Sequence, residues 1–367
     1  MYINFYIFEV DDTKEDYLSK LPDDVVLRSI LGNLTVRDAA RTTTLSTRWK
    51  YLFASTQLQQ QPTFRFKCTN MFGDRHFAHS HCSYNQEKDK FMNGLYQFLR
   101  LYSGRTVDSI ELRCCFVREF PSAFTHWFQS LSRISVQSLY LSFECYPSSS
   151  RKLLKFSLEA LSQSLEHLIL SGCVVLSSPS IRFNSLTTLV LCSVVLTSGH
   201  LEGVLSSYSN LKKLTIDISE LPSKLQLTGT VIDVVILECV GVKEIDLHAA
   251  CLRTLVCKIK NDVFKVASLM ERTRSKRPPP SLKGHNRLKE VIYYGFDGSE
   301  IEMEFVVYIL KCAIVLEQVF LSPRVISYFS CGPHPKANAS FSEEKRNSIQ
   351  QKLHGQALSS KARVVIE

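Results

Sequence analysis

Apolar positions recur along most of this chain at a fixed spacing. From Val107 onward the template apolar-x-x-apolar-x-apolar falls on Val107/Ile110/Leu112, Val136/Leu139/Leu141, Leu165/Leu168/Leu170, Leu186/Leu189/Leu191 and Leu211/Leu214/Ile216. It continues at Val231/Val234/Ile236, Val242/Ile245/Leu247, Leu252/Leu255/Cys257, Leu288/Val291/Tyr293 and Leu316/Val319/Leu321. Successive starts lie 29, 29, 21, 25, 20, 11, 10, 36 and 28 residues apart. Alternation within each unit predicts a short strand with one buried face. A period of roughly 20–29 residues predicts a solenoid of leucine-rich repeats, in which only neighbouring units bury that face. The 11- and 10-residue steps together make one ordinary period, so one of those two hits is an extra strand or a chance match. Leu165–Cys173 also carries the small residue, Cys173, that helps satisfy the backbone of the following turn.

Residues Asp16–Ser55 follow a different period. Leu27, Ile30, Leu31 and Leu34 sit at i, i+3, i+4 and i+7, on one face of a helix. Pro22 suits a first helical turn, where no amide donor is needed, and Asp23 and Asp24 favour the positive end of the helix dipole. Thr35 with Asp38 marks a second start before Ala39–Ala40, and Ser46 can cap a third helix carrying Trp49, Leu52 and Phe53. Three short helices make only a small core, so a partner is expected to complete the burial. Between the two blocks the sequence predicts a strand near Phe64–Lys67, a polar loop, and a helix near Lys90–Tyr102 capping the open end of the solenoid.

Three segments carry a family resemblance. Asp16-Tyr-Leu-Ser-Lys-Leu-Pro-Asp-Asp-Val-Val-Leu-Arg-Ser-Ile-Leu31, then Arg37-Asp-Ala-Ala-Arg-Thr42 and Leu45-Ser-Thr-Arg-Trp-Lys-Tyr-Leu-Phe53, closely resemble a plant F-box. Leu288-Lys-Glu-Val-Ile-Tyr-Tyr-Gly-Phe-Asp-Gly298 with Glu302–Leu321 resembles the FBD region of plant F-box/leucine-rich-repeat proteins. A helical stretch near Ser342–Leu353 and Ser360-Lys-Ala-Arg-Val-Val-Ile366 resemble that region's last helix and strand. The expected fold is therefore α/β: a small three-helix F-box over 16–56, a linker and cap over 57–106, a curved leucine-rich-repeat solenoid over 107–287, and an FBD region over 288–367 continuing it.

The resemblance implies a non-catalytic, substrate-recruiting subunit of a Skp–cullin–F-box ubiquitin ligase. The F-box would bind the Skp-type adaptor, and through it the cullin and RING subunits; the repeats would bind a protein target. The leucine-proline signature falls on Leu21 and Pro22, with Asp23 and Leu27 nearby, and the third-helix signature on Leu45, Ser46, Arg48 and Trp49. Thr43–Thr44 depart from the serine and aliphatic residue more usual before that leucine. Two other readings are a non-degradative scaffold and a receptor gated by a small molecule in the solenoid.

Register supplies the candidate target face. The residue between the last two apolar positions of each unit points away from the core, giving the column Glu111, Tyr140, Ile169, Val190, Thr215, Val235, Asp246, Val256, Ile292 and Phe320. Strand propensity alone accounts for such residues; a contiguous apolar patch on a binding surface accounts for them as well. The expected target contacts are Tyr140, Ile169, Val190, Val256 and Ile292, the first three side by side and partly exposed.

Composition narrows the remaining choices. With 45% apolar and 22% charged residues the chain is not wholly disordered, and no apolar run reaches transmembrane length. Twelve cysteines scattered through apolar runs, without a Cys-x-x-Cys pair, fit a reducing compartment, cytoplasmic or nuclear. His76, His79, His81 and Cys82 lack a second ligand pair close by, so no metal or other cofactor is expected. Seven of the basic residues behind the net charge of +9 fall between Arg272 and Lys289 without an acid. That window reads as a solvated loop, a nuclear-localisation signal or a dock for an acidic partner; without interleaved aromatics it does not point to nucleic acid. Phosphate-loop, dinucleotide, zinc-protease and nucleophile-elbow motifs are all absent.

Overall fold

The computed structural model describes residues 17–31, 41–59, 63–67, 106–114, 127–129, 134–143, 153–158, 163–176, 184–196, 210–227, 229–242, 244–247, 250–259, 265–266, 285–327, 334–335 and 340–367, with single residues or pairs between them. The chain divides into two compact units, Met1–Arg65 and Phe66–Glu367. The strand expected near Phe64 spans Thr63–Lys67. The candidate second helix at Thr35–Ala40, the His76–Cys82 cluster and Arg272–Lys283 of the basic window lie outside the described residues, as does most of the helix expected at Lys90–Tyr102.

In the first unit, α1 is Tyr17–Lys20 and α2 is Asp23–Val25, which runs into a π-helical turn at Val26–Ile30. The amides of Val25 and Val26 both donate to the Pro22 carbonyl at 3.1 Å, so the chain turns into the helix immediately after the proline. Helix α3 is Thr47–Gln59, and Ser46 caps it by accepting from the Trp49 amide at 3.3 Å. The core is small: Val26, Leu31, Trp49 and Leu52, with Leu21, Leu27, Ile30 and Phe53 packed around them.

The second unit is built on a parallel ladder. Its strands are β1 (Thr106–Arg113), β2 (Ser135–Ser142), β3 (His167–Ser171), β4 (Thr188–Cys192), β5 (Lys213–Asp217), β6 (Asp233–Cys239), β7 (Thr254–Ile259), β8 (Glu290–Tyr294), β9 (Gln318–Ser322) and β10 (Arg363–Ile366). They pair in chain order, and register is kept from strand to strand. The template residues stack accordingly: Leu139, Leu168, Leu189, Leu214, Val234, Leu255, Val291 and Val319 form one buried column. Each repeat enters its strand alike. The carbonyls of Glu166, Thr187, Lys212, Ile232, Arg253 and Lys289 each accept two consecutive amides of the next repeat, at 2.7–3.1 Å.

The strands also end alike. Gly172, Ser193, Ile218 and Gly295, each one residue past its strand, and Glu238, at a register irregularity near the end of β6, all have positive φ, between 48° and 74°. The small side chains beyond that turn serve it as Cys173 suggests: Ser219 accepts from the Val194 amide, and the Cys239 thiol faces the Ile216 and Leu237 carbonyls at 3.6 and 3.2 Å. The return layer is not uniform. Short strands line part of it, Leu154–Ser157 beside Cys173–Leu176, and Lys224–Leu227, Glu244–Leu247 and Lys265–Val266 as a second set. The hit at Val242/Ile245/Leu247 belongs to this layer, so it is the extra strand.

Helices return later in the chain. Helix α4 is Glu300–Cys312, buried along Met303, Phe305, Val306, Ile309 and Leu310, and α5 is Glu343–Leu353, capped by Ser342. At the start of the unit Phe124, Trp127, Phe128, Phe143 and Phe156 interlock with ring centroids 4.6–5.9 Å apart, and the Trp127 indole donates to the Leu95 carbonyl at 3.3 Å. No described helix is long and apolar enough to cross a membrane.

Candidate functional site

Two surfaces carry the sequence candidates, one on each unit. On the first, the eight residues separate by burial. Trp49 is buried, and Leu21 and Leu27 pack against the same core. Trp49 belongs to that core, while Leu21 and Leu27 lean on it and keep part of their surface exposed. Pro22, Asp23, Leu45 and Ser46 are exposed, Leu45 by 64%. Exposed Tyr17, Leu18, Val25 and Tyr51 join them, and the sequence reading missed all four. Apolar residues outside the i, i+3, i+4, i+7 face were the available signal.

Arg48 is committed within its own chain. Its Nη1 donates to the Ser19 carbonyl at 2.7 Å and its Nη2 to the Leu21 carbonyl. Nε and Nη2 both reach Oδ1 of Asp23, at 3.0 and 2.6 Å. Two candidates offered as partner contacts, Asp23 and Arg48, are therefore each other's partners.

On the second unit the open-face column is real and in register. Glu111, Tyr140, Ile169, Val190, Thr215, Val235, Val256, Ile292 and Phe320 are successive cross-strand partners, and Val365 continues the row. Asp246 is not a member, because Glu244–Leu247 pairs with Lys224–Leu227 in the return layer. Tyr140, Ile169 and Val190 stand side by side, each half-buried. At the near end Arg113 lies over the Tyr140 ring, 4.8 Å from its centroid, and pairs with Glu111 at 2.7 Å. Two in-register rows flank the stripe. One, from Ser138 and His167 through Thr188, Lys213 and Asp233 to Thr254, is polar; the other begins Ser142, Ser171, Cys192 and Asp217.

The far part of the stripe is covered by the chain itself. Ile326 folds onto Leu237 and Val256, with Val235, Ile292 and Tyr294 packed around them. Val256 is buried, so it is not the exposed target contact the register alone suggested, and Ile292 is partly covered by the same packing. The segment bearing Ile326 is a short antiparallel pair, Ile326–Ser327 with His334–Pro335. Beside it Lys258 pairs with Glu238, both nearly buried, and Arg324 pairs with Glu367 at 2.5 Å. Tyr294, half-buried there, has its phenol pushed up by burial and by the nearby Glu367 carboxylate.

Two described members of the basic window are engaged locally. Lys289 pairs with Glu317 at 2.6 Å, which holds the Glu317 carboxyl below its ordinary value, and the Arg287 guanidinium lies 3.8 Å from the Cys251 sulfur.

Comparison with known protein families gives two matches. A family described as the leucine-rich repeats of an FBD-associated F-box protein matches residues 124–268, and the FBD family matches residues 279–321. No curated protein matches the chain at a significant level.

Proposed function

This chain belongs to the F-box/FBD/leucine-rich-repeat proteins, and from that premise we propose that it is the substrate-recruiting subunit of a Skp–cullin–F-box ubiquitin ligase. The F-box at residues 16–56 docks a Skp-type adaptor through exposed Leu45, Pro22 and Leu18, and the adaptor links it to the cullin and RING subunits. The ladder holds a target protein. Nothing in this mechanism makes or breaks a bond within the chain, which acts in the cytoplasm or nucleus. It raises the effective concentration of the target's lysines near the ubiquitin-transferring enzyme, a gain from tethering and orientation.

The observation that carries the reading is the stripe Tyr140–Ile169–Val190. A free sheet face ordinarily alternates buried apolar with exposed polar residues. Here the outward row is itself apolar over neighbouring strands, between polar rows, as a protein-binding face would be.

The test is capture by a purified Skp-type adaptor. Wild type is expected to bind, and Leu45→Asp to weaken binding at least about 30-fold while helicity by circular dichroism is retained. Failure of wild type to bind the adaptor would remove the ligase reading and leave the repeats as a scaffold. Unchanged binding by Leu45→Asp would move the docking face elsewhere on the unit.

A further inference from the structure

The turn that presents Leu18 and Pro22 has little of its own to hold it. Helix α1 is four residues long, and α2 with the π-helical turn it runs into covers only Asp23–Ile30, below the length at which an isolated helix is stable in water. The last carbonyls of a helix have no intrahelical amide to accept from. Two carbonyls at the end of α1, those of Ser19 and Leu21, are taken by one side chain from 27–29 residues further along, Arg48. The same guanidinium takes the carboxylate of Asp23, the first residue of α2. One planar group thus ties the end of α1, the Leu21–Pro22 turn and the start of α2 to the first turn of α3.

We propose that Arg48 is a positioning residue for adaptor docking: it locks the Leu21–Asp23 turn so that exposed Leu18 and Pro22 stand in fixed relation to exposed Leu45, and it makes no contact with the adaptor. This rests on the adaptor reading above. The chemistry favours arginine specifically. All three guanidinium nitrogens donate, in a fixed fork, to three acceptors on separate residues. A lysine ammonium is a point donor on a flexible stem and cannot span the same set. Asp23 is 64% exposed, so its charge contributes orientation rather than a buried ion pair.

The experiment uses the full chain and reads two quantities: amide hydrogen exchange at Leu21, Val25 and Val26, and affinity for a purified Skp-type adaptor. In Arg48→Lys those amides are expected to lose protection, while the Lys50 amide of α3, bonded to the Ser46 carbonyl at 3.0 Å, keeps its own. Adaptor affinity should fall about 10-fold or more. Asp23→Asn, a milder change that keeps both carbonyl bonds, should lose less of each, and the double variant should bind no more weakly than Arg48→Lys alone. If Arg48→Lys unfolds the unit, Asp23→Asn carries the comparison. Weaker binding with unchanged exchange at 21–26 would overturn the proposal, since Arg48 would then touch the adaptor directly. So would unchanged exchange and affinity together, or additive losses in the double variant. If wild type does not bind the adaptor, the ligase reading fails, while the exchange pattern still decides whether Arg48 locks the turn.

Discussion

Ile218 sits at φ 48°, in the left-handed region, at the end of β5. A β-branched residue there sets its own Cβ substituents against the backbone, which costs on the order of 1–2 kcal/mol. Equivalent turns in the ladder use Gly172 and Gly295, which carry no such penalty. Ile218 is 37% exposed, so the greater part of it is still buried and offsets much of that cost, while its amide bond to the Leu237 carbonyl does not depend on the side chain. Ile218→Asn should therefore change stability by less than about 1 kcal/mol, because asparagine tolerates this conformation but gives up the apolar burial. Denaturant melts would read this as a midpoint near that of wild type at constant slope; a midpoint far below it would mean that burial of Ile218 outweighs the strain of its dihedral. Glu238, at φ 49°, does not invite the same change, because its carboxylate pairs with Lys258. The positive-φ column was illegible in the sequence: its members are Gly, Ser, Ile, Glu and Gly, and the chain geometry rather than the residue type repeats.

At the scale of one element, α4 shows how a helix start is assembled and what it costs. Ser299 and Glu302 form a reciprocal capping box, and Glu302 Oε2 accepts from the amides of Asp297, Gly298 and Ser299 at 2.8–3.3 Å. Burial nonetheless pushes the Glu302 carboxyl up to about 7, helped by its hydrogen bond with Asp297. That same bond, assisted by Ser299 and Lys345, holds Asp297 below its ordinary value, so the proton resides on Glu302. The native pKa lies above the unfolded one, so the folded state binds the extra proton. The resulting stability is full below about pH 4.3 and drains away as pH rises towards and through about 7. Glu302→Gln keeps an oxygen for the amides and has no charge to bury. Its melting temperature should match wild type near pH 5 and exceed it increasingly by pH 8. A constant gap across that range would show that Glu302 does not titrate there. Sequence reading anticipated the resemblance of this region but not the coupling, which joins Asp297 to Glu302 around a turn whose Gly298 has φ 76°.

At the scale of the whole repeat unit, the ladder was legible because one spacing repeats and each strand inherits its register from its neighbour. Every outward residue except Asp246 then follows from counting. Asp246 failed because a return-layer strand satisfies the same six-residue template; only pairing partners tell the layers apart. The cover over Val256 was hidden for another reason: Ile326 belongs to a two-residue strand with no periodic signal. This division of one stripe into an open and a covered part yields the last prediction. Ile169 and Val256 occupy the same row four strands apart, both β-branched. Ile169, half-buried between Tyr140 and Val190, faces outward, and Ile169→Asp places a charge where water still reaches it. Its thermal transition should move little, while capture of the target protein is lost. Val256 lies beneath Ile326 and Leu237, so Val256→Asp buries a carboxylate with no partner of its own and should cost several kcal/mol. Thermal melts of the two variants, set beside target capture and adaptor capture, separate the roles. A large loss of stability in Ile169→Asp would make Tyr140–Val190 core and place the target face elsewhere. A stable Val256→Asp would mean that the Ile326 segment lifts readily, extending the open stripe towards Ile292.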